Sequence, residues 1–342
     1  MNKIKILVLL SLLVAAFLLD VAMGSVHIPL KDVIKVLFTP DGGNDTWVYI
    51  IEKIRLPKAL TAIIVGCGLS VCGLQMQTLF RNPLADSSVL GITAGASLGV
   101  ALVMLSAGSI TSLYTIKELG ISGSWLIILA SSLGAALIMI LIVGISSSLK
   151  DNVIVLIVGV MLGNITFSVI SIWQYFSSPE LIKDYLIWTF GSLGGVTGGQ
   201  LLILAIVVSA GLLISFLSSK LLDALLLGDN YARSMGLTVK RARILVIAST
   251  SILAGGITAF CGPIGFIGIA VPHLARALFG TSNHRMLIPV CCLIGTVLML
   301  VCDIVAQLPG SQTVLPINVI TALVGSPVVI WVIAGPKKLR GF

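Results

Sequence analysis

Hydrophobicity recurs along this chain in blocks of roughly 20 residues, and that recurrence leaves few folds open. A helix rises ~1.5 Å per residue, so about 20 apolar residues cross the ~30 Å hydrocarbon layer of a bilayer. Ten windows qualify or nearly qualify: 4–23, 57–79, 88–107, 124–145, 153–173, 197–217, 242–260, 262–279, 286–306 and 314–334. The weakest are 88–107, rich in small residues, and 262–279, interrupted by Pro272. Of the 342 residues 57% are apolar and 10% charged, so no soluble domain of ordinary size fits between the windows. In lipid every backbone polar group needs a protein partner, which a helix supplies from within itself. The expectation is an all-α polytopic membrane protein, one domain over 1–342, with ten transmembrane helices.

An even number of spans puts both termini on one side, and the basic residues say which. With the N-terminus inside, the cytoplasmic set is Lys3, Lys5, Arg81, Lys150, five cations between Ser218 and Arg243, Arg276, Arg285, Lys337, Lys338 and Arg340, 14 in all. The seven outside are Lys31, Lys35, Lys53, Arg55, Lys58, Lys117 and Lys183. This two-to-one excess predicts cytoplasmic N- and C-termini. The net charge of +8 is then an orientation signal and implies no nucleic-acid partner. Lys3 and Lys5, the apolar run to Leu19 and the segment Val21-Ala22-Met23-Gly24 also resemble a signal peptide. A retained first span is preferred, because cleavage would leave nine spans and an external N-terminus. The six cysteines lie in or beside apolar windows, where thiols act as small hydrophobes, and show no metal spacing.

Short polar connections carry further signals. Residues 30, 33, 34, 37 and 38 form the apolar face of a helix too short to span, expected on the outer surface. Pro57 opens the second span, with Leu56 pushed out of helix before it. Ala62, Gly66 and Ser70, then Gly91, Gly95 and Gly99, recur every fourth residue, the stripe that lets membrane helices approach closely. Ser178-Pro179-Glu180 starts an outer helix that Gly191 ends, leading into a glycine-rich loop: a gate or a plain connector. Asp303 stands out as a carboxylate inside an apolar window, near its outer end, with Gln307 one turn away as a hydrogen-bond partner. His273 and Arg276 could form a polar cluster with the loop that follows them.

The longest polar stretch, 218–243, reads SSKLLDALLLGDNYARSMGLTVKRAR. Residues 220–227 form one short helix, broken by Gly228. Asp229 can cap a second over 230–235, with Gly236 as its left-handed stop and Thr238 capping the next span. Helices this short need tertiary support, and a mere tether needs no capped helices. The element is expected to meet a partner.

Several passages, in order, resemble the FecCD-like permeases of bacterial ATP-binding cassette importers for iron-siderophore, haem and cobalamin. They are Arg55-Leu-Pro-Lys58, QMQTLFRNPLADSSVLG from Gln75, Gly228 to Gly236, GPIGFIGIAVPHLAR from Gly262, His284-Arg285 with Pro289, Leu315-Pro-Ile, and Gly325-Ser-Pro327. The resemblance implies a type II importer-like fold, with spans 2–5 and 7–10 as halves of inverted topology. It implies a homodimeric pathway, two separate ATPase subunits that hold ATP-Mg, and an extracytoplasmic substrate-binding protein; this chain itself binds no cofactor or metal. Carried over by motif, Gly228, Asp229, Ala232, Arg233 and Gly236 couple to the ATPase. Asn82 and Leu84, with Ser146, Ser147 and Ser148, form the inner gate. Arg55 and Lys58 dock the binding protein, and Gln307 stands where a third cation is usual. The implied cargo is an iron chelate, siderophore or haem, with cobalamin as the alternative. A secondary transporter driven by an ion gradient has thin support in Asp303. A membrane enzyme has only Asp41 and Asp45 at prenyl-pyrophosphate spacing, without a second motif. No GxxxxGK[ST] sequence occurs, so the chain does not hydrolyse ATP in the usual way.

Overall fold

Each of the ten apolar windows contains a helix. The computed structural model describes residues 2–39, 44–105, 121–148, 152–307 and 313–334, and the regular structure among them is entirely helical. Span 1 is Asn2–Ala22; span 2 lies within the continuous helical stretch Asp45–Phe80; span 3 is Ile92–Leu105, span 4 Ile121–Ser148 and span 5 Asn152–Phe176. Span 6 is Gly198–Leu217, span 7 Val239–Cys261, span 8 Ile267–Phe279, span 9 His284–Ala306 and span 10 Ile317–Ala334. An amphipathic helix, Leu30–Phe38, follows span 1 and buries Val33 and Val36. The helix predicted before Gly191 is Pro179–Thr189, with Ser178 at its N-cap and Gly191 left-handed at φ +73°. Asp41, Lys117, Lys150, Lys337, Lys338 and Arg340 lie outside the described residues.

The start of span 2 corrects the sequence expectation. Leu56 is helical (φ −61°, ψ −49°), and the helix begins at Asp45, well before Pro57. The reason is a π-helical stretch, Ile50–Arg55, whose looser register passes the chain into the proline without a break. Pro57 has no N–H to give to the preceding turn. The wider turn absorbs that loss, with Leu56 N bonding back to Ile51 O.

Small residues set the packing. A Cβ on Gly66 would stand 2.4 Å from Gly295 O, so spans 2 and 9 touch backbone to backbone. One on Gly99 would stand 1.9 Å from Ala130 O, and spans 3 and 4 meet the same way. Ser70 adds a hydrogen bond from its hydroxyl to Cys291 O at 2.9 Å. Lipid gives helices no hydrophobic reason to associate, so close contact and such bonds hold the bundle.

Spans 3 and 8 have 14 and 13 residues, about 20 Å, short of the hydrocarbon thickness. Irregular backbone precedes each. Before span 3 runs a 3-10 turn, Ser87–Leu90, ending at left-handed Gly91; before span 8 runs 262–266, with Gly262 at φ +73° and Phe266 at φ +68°. They are the second members of the two halves, so the interruption repeats with the topology.

The alternation of spans sorts the polar residues onto two faces. On the basic face Lys5 Nζ donates to Leu278 O at 2.5 Å, and the Arg81 guanidinium lies beside Gly228. The opposite face gathers Gly24, Arg55, Lys58, Gly191 and Asp303 around one cavity.

Candidate functional site: two loops on the basic face and a cavity opposite

On the basic face, the loop between spans 6 and 7 forms two short helices, Ser219–Leu226 and Asp229–Ser234. Gly228, at φ +109°, makes the break between them. Gly236, at φ +81°, ends the second: its N–H bonds to Arg233 O at 2.9 Å and Leu237 N–H to Ala232 O at 3.1 Å. Those two bonds are a Schellman closure, which satisfies carbonyls the helix end leaves free. Ala232 is buried and anchors the turn. Two cap assignments need correction. Gly228, not Asp229, occupies the N-cap position; Asp229 sits in the first turn and its carboxylate faces Arg243 at 3.4 Å on span 7. Thr238 is at the N-cap of span 7, but its side chain makes no capping bond. The acid thus fastens the loop to the next span, while its negative charge still suits the helix N-terminus.

Among the polar residues this loop shows to water stand three large apolar side chains. Leu227, Tyr231 and Met235, four residues apart, are 63%, 50% and 60% exposed, with Arg233 exposed beside them. Exposed apolar side chains beside a cation, on a turn fixed by its own closure, are suited to contact with another protein.

A second loop on the basic face follows span 2. Arg81 takes a left-handed conformation (φ 47°) and ends the helix, with Asn82 N bonding to Gln77 O at 3.1 Å. Asn82 Oδ1 then accepts from Leu84 N at 2.9 Å, an Asx turn that leaves Leu84 exposed. Span 8 holds this loop. A ring nitrogen of His273 meets Pro83 O at 2.8 Å, and Arg276 donates to Gln77 Oε1 at 2.7 Å. The polar groups of His273 and Arg276 thus bond span 2 and the loop that follows it. Ser146 is buried near the end of span 4, and its hydroxyl finds no partner among the described residues. The side chains of Ser147 and Ser148 lie outside the described ones.

The opposite face holds a cavity of about 490 Å³ between the end of span 1, the start of span 2, the loop at Gly191–Gly194 and the ends of spans 9 and 10. Arg55 and Lys58 line it, and each is engaged by partners within the chain. Arg55 is buried; its Nη1 donates to Val21 O at 2.9 Å and Ala22 O at 2.7 Å, and its Nη2 donates to Val26 O. The Val21 and Ala22 carbonyls close span 1, where the helix dipole favours a cation, and that of Val26 lies in the segment after it. Lys58 Nζ pairs with Asp303 Oδ1 at 2.9 Å, the side chains 14% and 2% exposed. Gln307 Nε2 donates to Asp303 Oδ2 and to Asp20 Oδ1, both at 3.0 Å. The bond from Gln307 to Asp303 is the one the spacing predicts; the bond to Asp20 is not. Asp20 too is a carboxylate inside an apolar window, and that alone was the available signal.

A second feature missed from sequence is on span 5. Asn164, Ser168 and Ser171 are all exposed in the single chain, spaced four and three residues apart. They share one face of a membrane helix that also exposes Ile165, Phe167 and Ile172. Hydrocarbon gives an amide no hydrogen-bond partner, so this face suits an aqueous path or a protein neighbour better than lipid.

The FecCD transport family profile matches residues 12–335. The chain belongs to that family. The Yersinia pestis hemin transport system permease protein HmuU is 32% identical over 298 residues, 87% of this chain and 86% of that protein. The Shigella boydii vitamin B12 import system permease protein BtuC is 34% identical over 328 residues, 96% and 94% of the two. A solved structure described as an inward-facing conformation of a metal-chelate type ABC transporter superposes with TM-score 0.83 at 27% identity, covering 98% of this chain and 99% of that one. PsaBC from Streptococcus pneumoniae in complex with Fab, at TM-score 0.51 and 16% identity, shares the fold alone. This FecCD-family chain is a multi-pass permease component of an ATP-binding cassette importer, with hydrolysis assigned to a separate subunit.

Proposed function

We propose that this FecCD-family permease carries an iron chelate, siderophore or haem, inward across the bacterial cytoplasmic membrane, driven by two ATPase subunits on its basic, cytoplasmic face. The observation that carries the reading is the rigid coupling turn with Leu227, Tyr231, Arg233 and Met235 turned to water. ATP with magnesium is held by the ATPase subunits; their closure shifts the turn, and Asp229 passes the shift to span 7 through Arg243. Two copies enclose the path, and the Asn164, Ser168 and Ser171 face of each span 5 lines it. Hydroxyls and an amide offer weak, exchangeable hydrogen bonds, which let a bulky polar chelate pass without trapping it. Asn82 and Leu84, with Ser146 to Ser148, close the inner end.

A substrate-binding protein docks over the outer cavity. Arg55 serves there as the clamp on span 1, so Lys58 is the cation able to exchange Asp303 for an acid of the partner. Gln307 supplies no charge, and docking rests on fewer cations than three. Cobalamin is the second reading, favoured by the 34% identity to the vitamin B12 permease over 96% of the chain.

The test is uptake into proteoliposomes holding the permease with its ATPase and binding protein, with ferric siderophore, haemin and cyanocobalamin as separate probes. A dead Walker lysine in the ATPase should abolish uptake. Uptake that survives this change but falls with a proton uncoupler would replace the reading with a gradient-driven transporter. Uptake of cyanocobalamin alone would select the second cargo.

A further inference from the structure

The coupling turn is tied to the inner loop by a chain of side chains that the family comparison does not assign. Asp223 lies on the first coupling helix, Ser219–Leu226. Its Oδ1 accepts two bonds from the first residue of span 9: His284 N at 2.9 Å and His284 Nδ1 at 2.6 Å. The other ring nitrogen, Nε2, meets Thr78 Oγ1 at 2.7 Å. Thr78 stands in the last turn of span 2, and its hydroxyl also reaches Leu74 O at 2.8 Å. That turn runs straight into Arg81, Asn82 and Leu84.

Three elements therefore meet on one imidazole. Both ring nitrogens are engaged, so the ring has a single orientation and little freedom to slip. His284 and Thr78 are buried, whereas Asp223 is partly exposed at the basic face. Arg285 is the other charge beside Asp223. The order acid–imidazole–hydroxyl copies that of a hydrolase triad, but no substrate can reach a hydroxyl with no exposed surface. A buried, fully bonded ring between a mobile handle and a gate is suited to transmit position.

We propose that Asp223, His284 and Thr78 form the link by which movement of the coupling turn sets the position of the inner loop. These are positioning residues; none contacts cargo or nucleotide. The link rests on the reading of loop 218–243 as the ATPase handle and of Leu84 as part of the gate. Displacing the first coupling helix pulls Asp223, the imidazole follows its two bonds, and Thr78 carries the end of span 2. A coupling network of this kind changes coupling by about two- to thirtyfold when one member is removed.

The test uses the assembled permease–ATPase complex in lipid nanodiscs. Leu84→Cys is labelled with a fluorescent maleimide, without nucleotide and after trapping with ATP and vanadate, and the parent without that cysteine is subtracted. In the L84C parent the labelling rate should differ between the two states. Thr78→Val keeps the side-chain shape, and Asp223→Asn changes a partly exposed acid to its amide. Both should shrink that difference by about two- to thirtyfold while ATP hydrolysis and assembly persist. Asp223→Glu, which can still bond the ring, should restore it. A full nucleotide response in both T78V and D223N overturns the link. No response in the L84C parent itself overturns the gate reading, and the link falls with it.

Discussion

Replacing Lys58 by methionine removes one half of an ion pair that sits almost out of water. Two unit charges 2.9 Å apart attract by about 6 kcal/mol at an effective dielectric of about 20. Desolvation of both groups offsets most of that gain, so the net contribution of the intact pair is small. Breaking it from one side is different. Asp303, 2% exposed, would lose its cation and be left with the Gln307 amide and the neighbouring Asp20. Removing one partner of such a pair costs about 3–5 kcal/mol. Asp303→Asn should cost less, about 1–2 kcal/mol, because Lys58 is the more exposed partner and can snorkel to the aqueous face. The double variant K58M/D303N should recover at least about 2 kcal/mol relative to the sum of the singles, since no charge is left unpaired. Reversible unfolding of the purified permease in mixed micelles of mild detergent and dodecyl sulfate measures all three. If K58M leaves the unfolding midpoint unchanged, Lys58 is a solvated cation and the internal pair carries no energy. If the double variant is as unstable as the sum, the coupling is absent.

Further outcomes follow from other parts of the molecule. Arg233→Glu should shift stability by less than about 0.5 kcal/mol, because the side chain is exposed, yet reduce copurification of the ATPase; unchanged copurification removes Arg233 from the handle. Gly99→Leu should destabilise by about 3 kcal/mol or more, since its Cβ would stand 1.9 Å from Ala130 O on span 4; normal thermal stability of that variant contradicts the close approach. Ser168→Leu with Ser171→Leu should cut uptake severely while leaving ATP hydrolysis intact, and undiminished uptake would put that face against lipid. Burial pulls the Asp223 carboxyl upward, but bonds from the His284 ring and backbone and the nearby His284 and Arg285 charges outweigh it and hold it below its ordinary value. Its stabilising contribution is therefore complete above about pH 4, the ordinary carboxylate range, and fades as pH falls through the lower folded value. Titrating the unfolding midpoint from neutral pH downward should show a loss in the parent that D223N lacks; identical profiles refute it.

Much of the fold could be read from residues alone because lipid imposes a single requirement on every crossing segment. A stretch such as 286–306 must be helical to satisfy its backbone, whatever it packs against, and the helix His284–Ala306 is there. Glycine spacing was legible for a similar reason: Gly66 and Gly99 lack the atom that would keep two helices apart. Helix ends were read less well. Asp229 has the chemistry of a cap, yet it faces Arg243, fourteen residues on, and local pattern cannot see that competitor. Leu56 lies before a proline, yet a π-turn carries the helix through, its wider register absorbing the missing N–H of Pro57.

The sites divide along the same line. The coupling turn was visible because 218–243 breaks an apolar chain and carries its own stop signals. The cations proposed for docking were visible as residue types, but their partners within the chain were not. Arg55 looks like a surface cation until the carbonyls of Val21, Ala22 and Val26 are found around it. Sequence by itself determined that the chain crosses the membrane ten times and where its one long polar loop lies, since those follow from composition over twenty residues at a time. Tertiary structure alone decided which charges stay free, that Asp20 and Asp303 share one amide, and that Asp223, His284 and Thr78 meet. Electrostatics and hydrogen bonds act over about 3 Å between residues hundreds of positions apart, and only the folded bundle sets those distances.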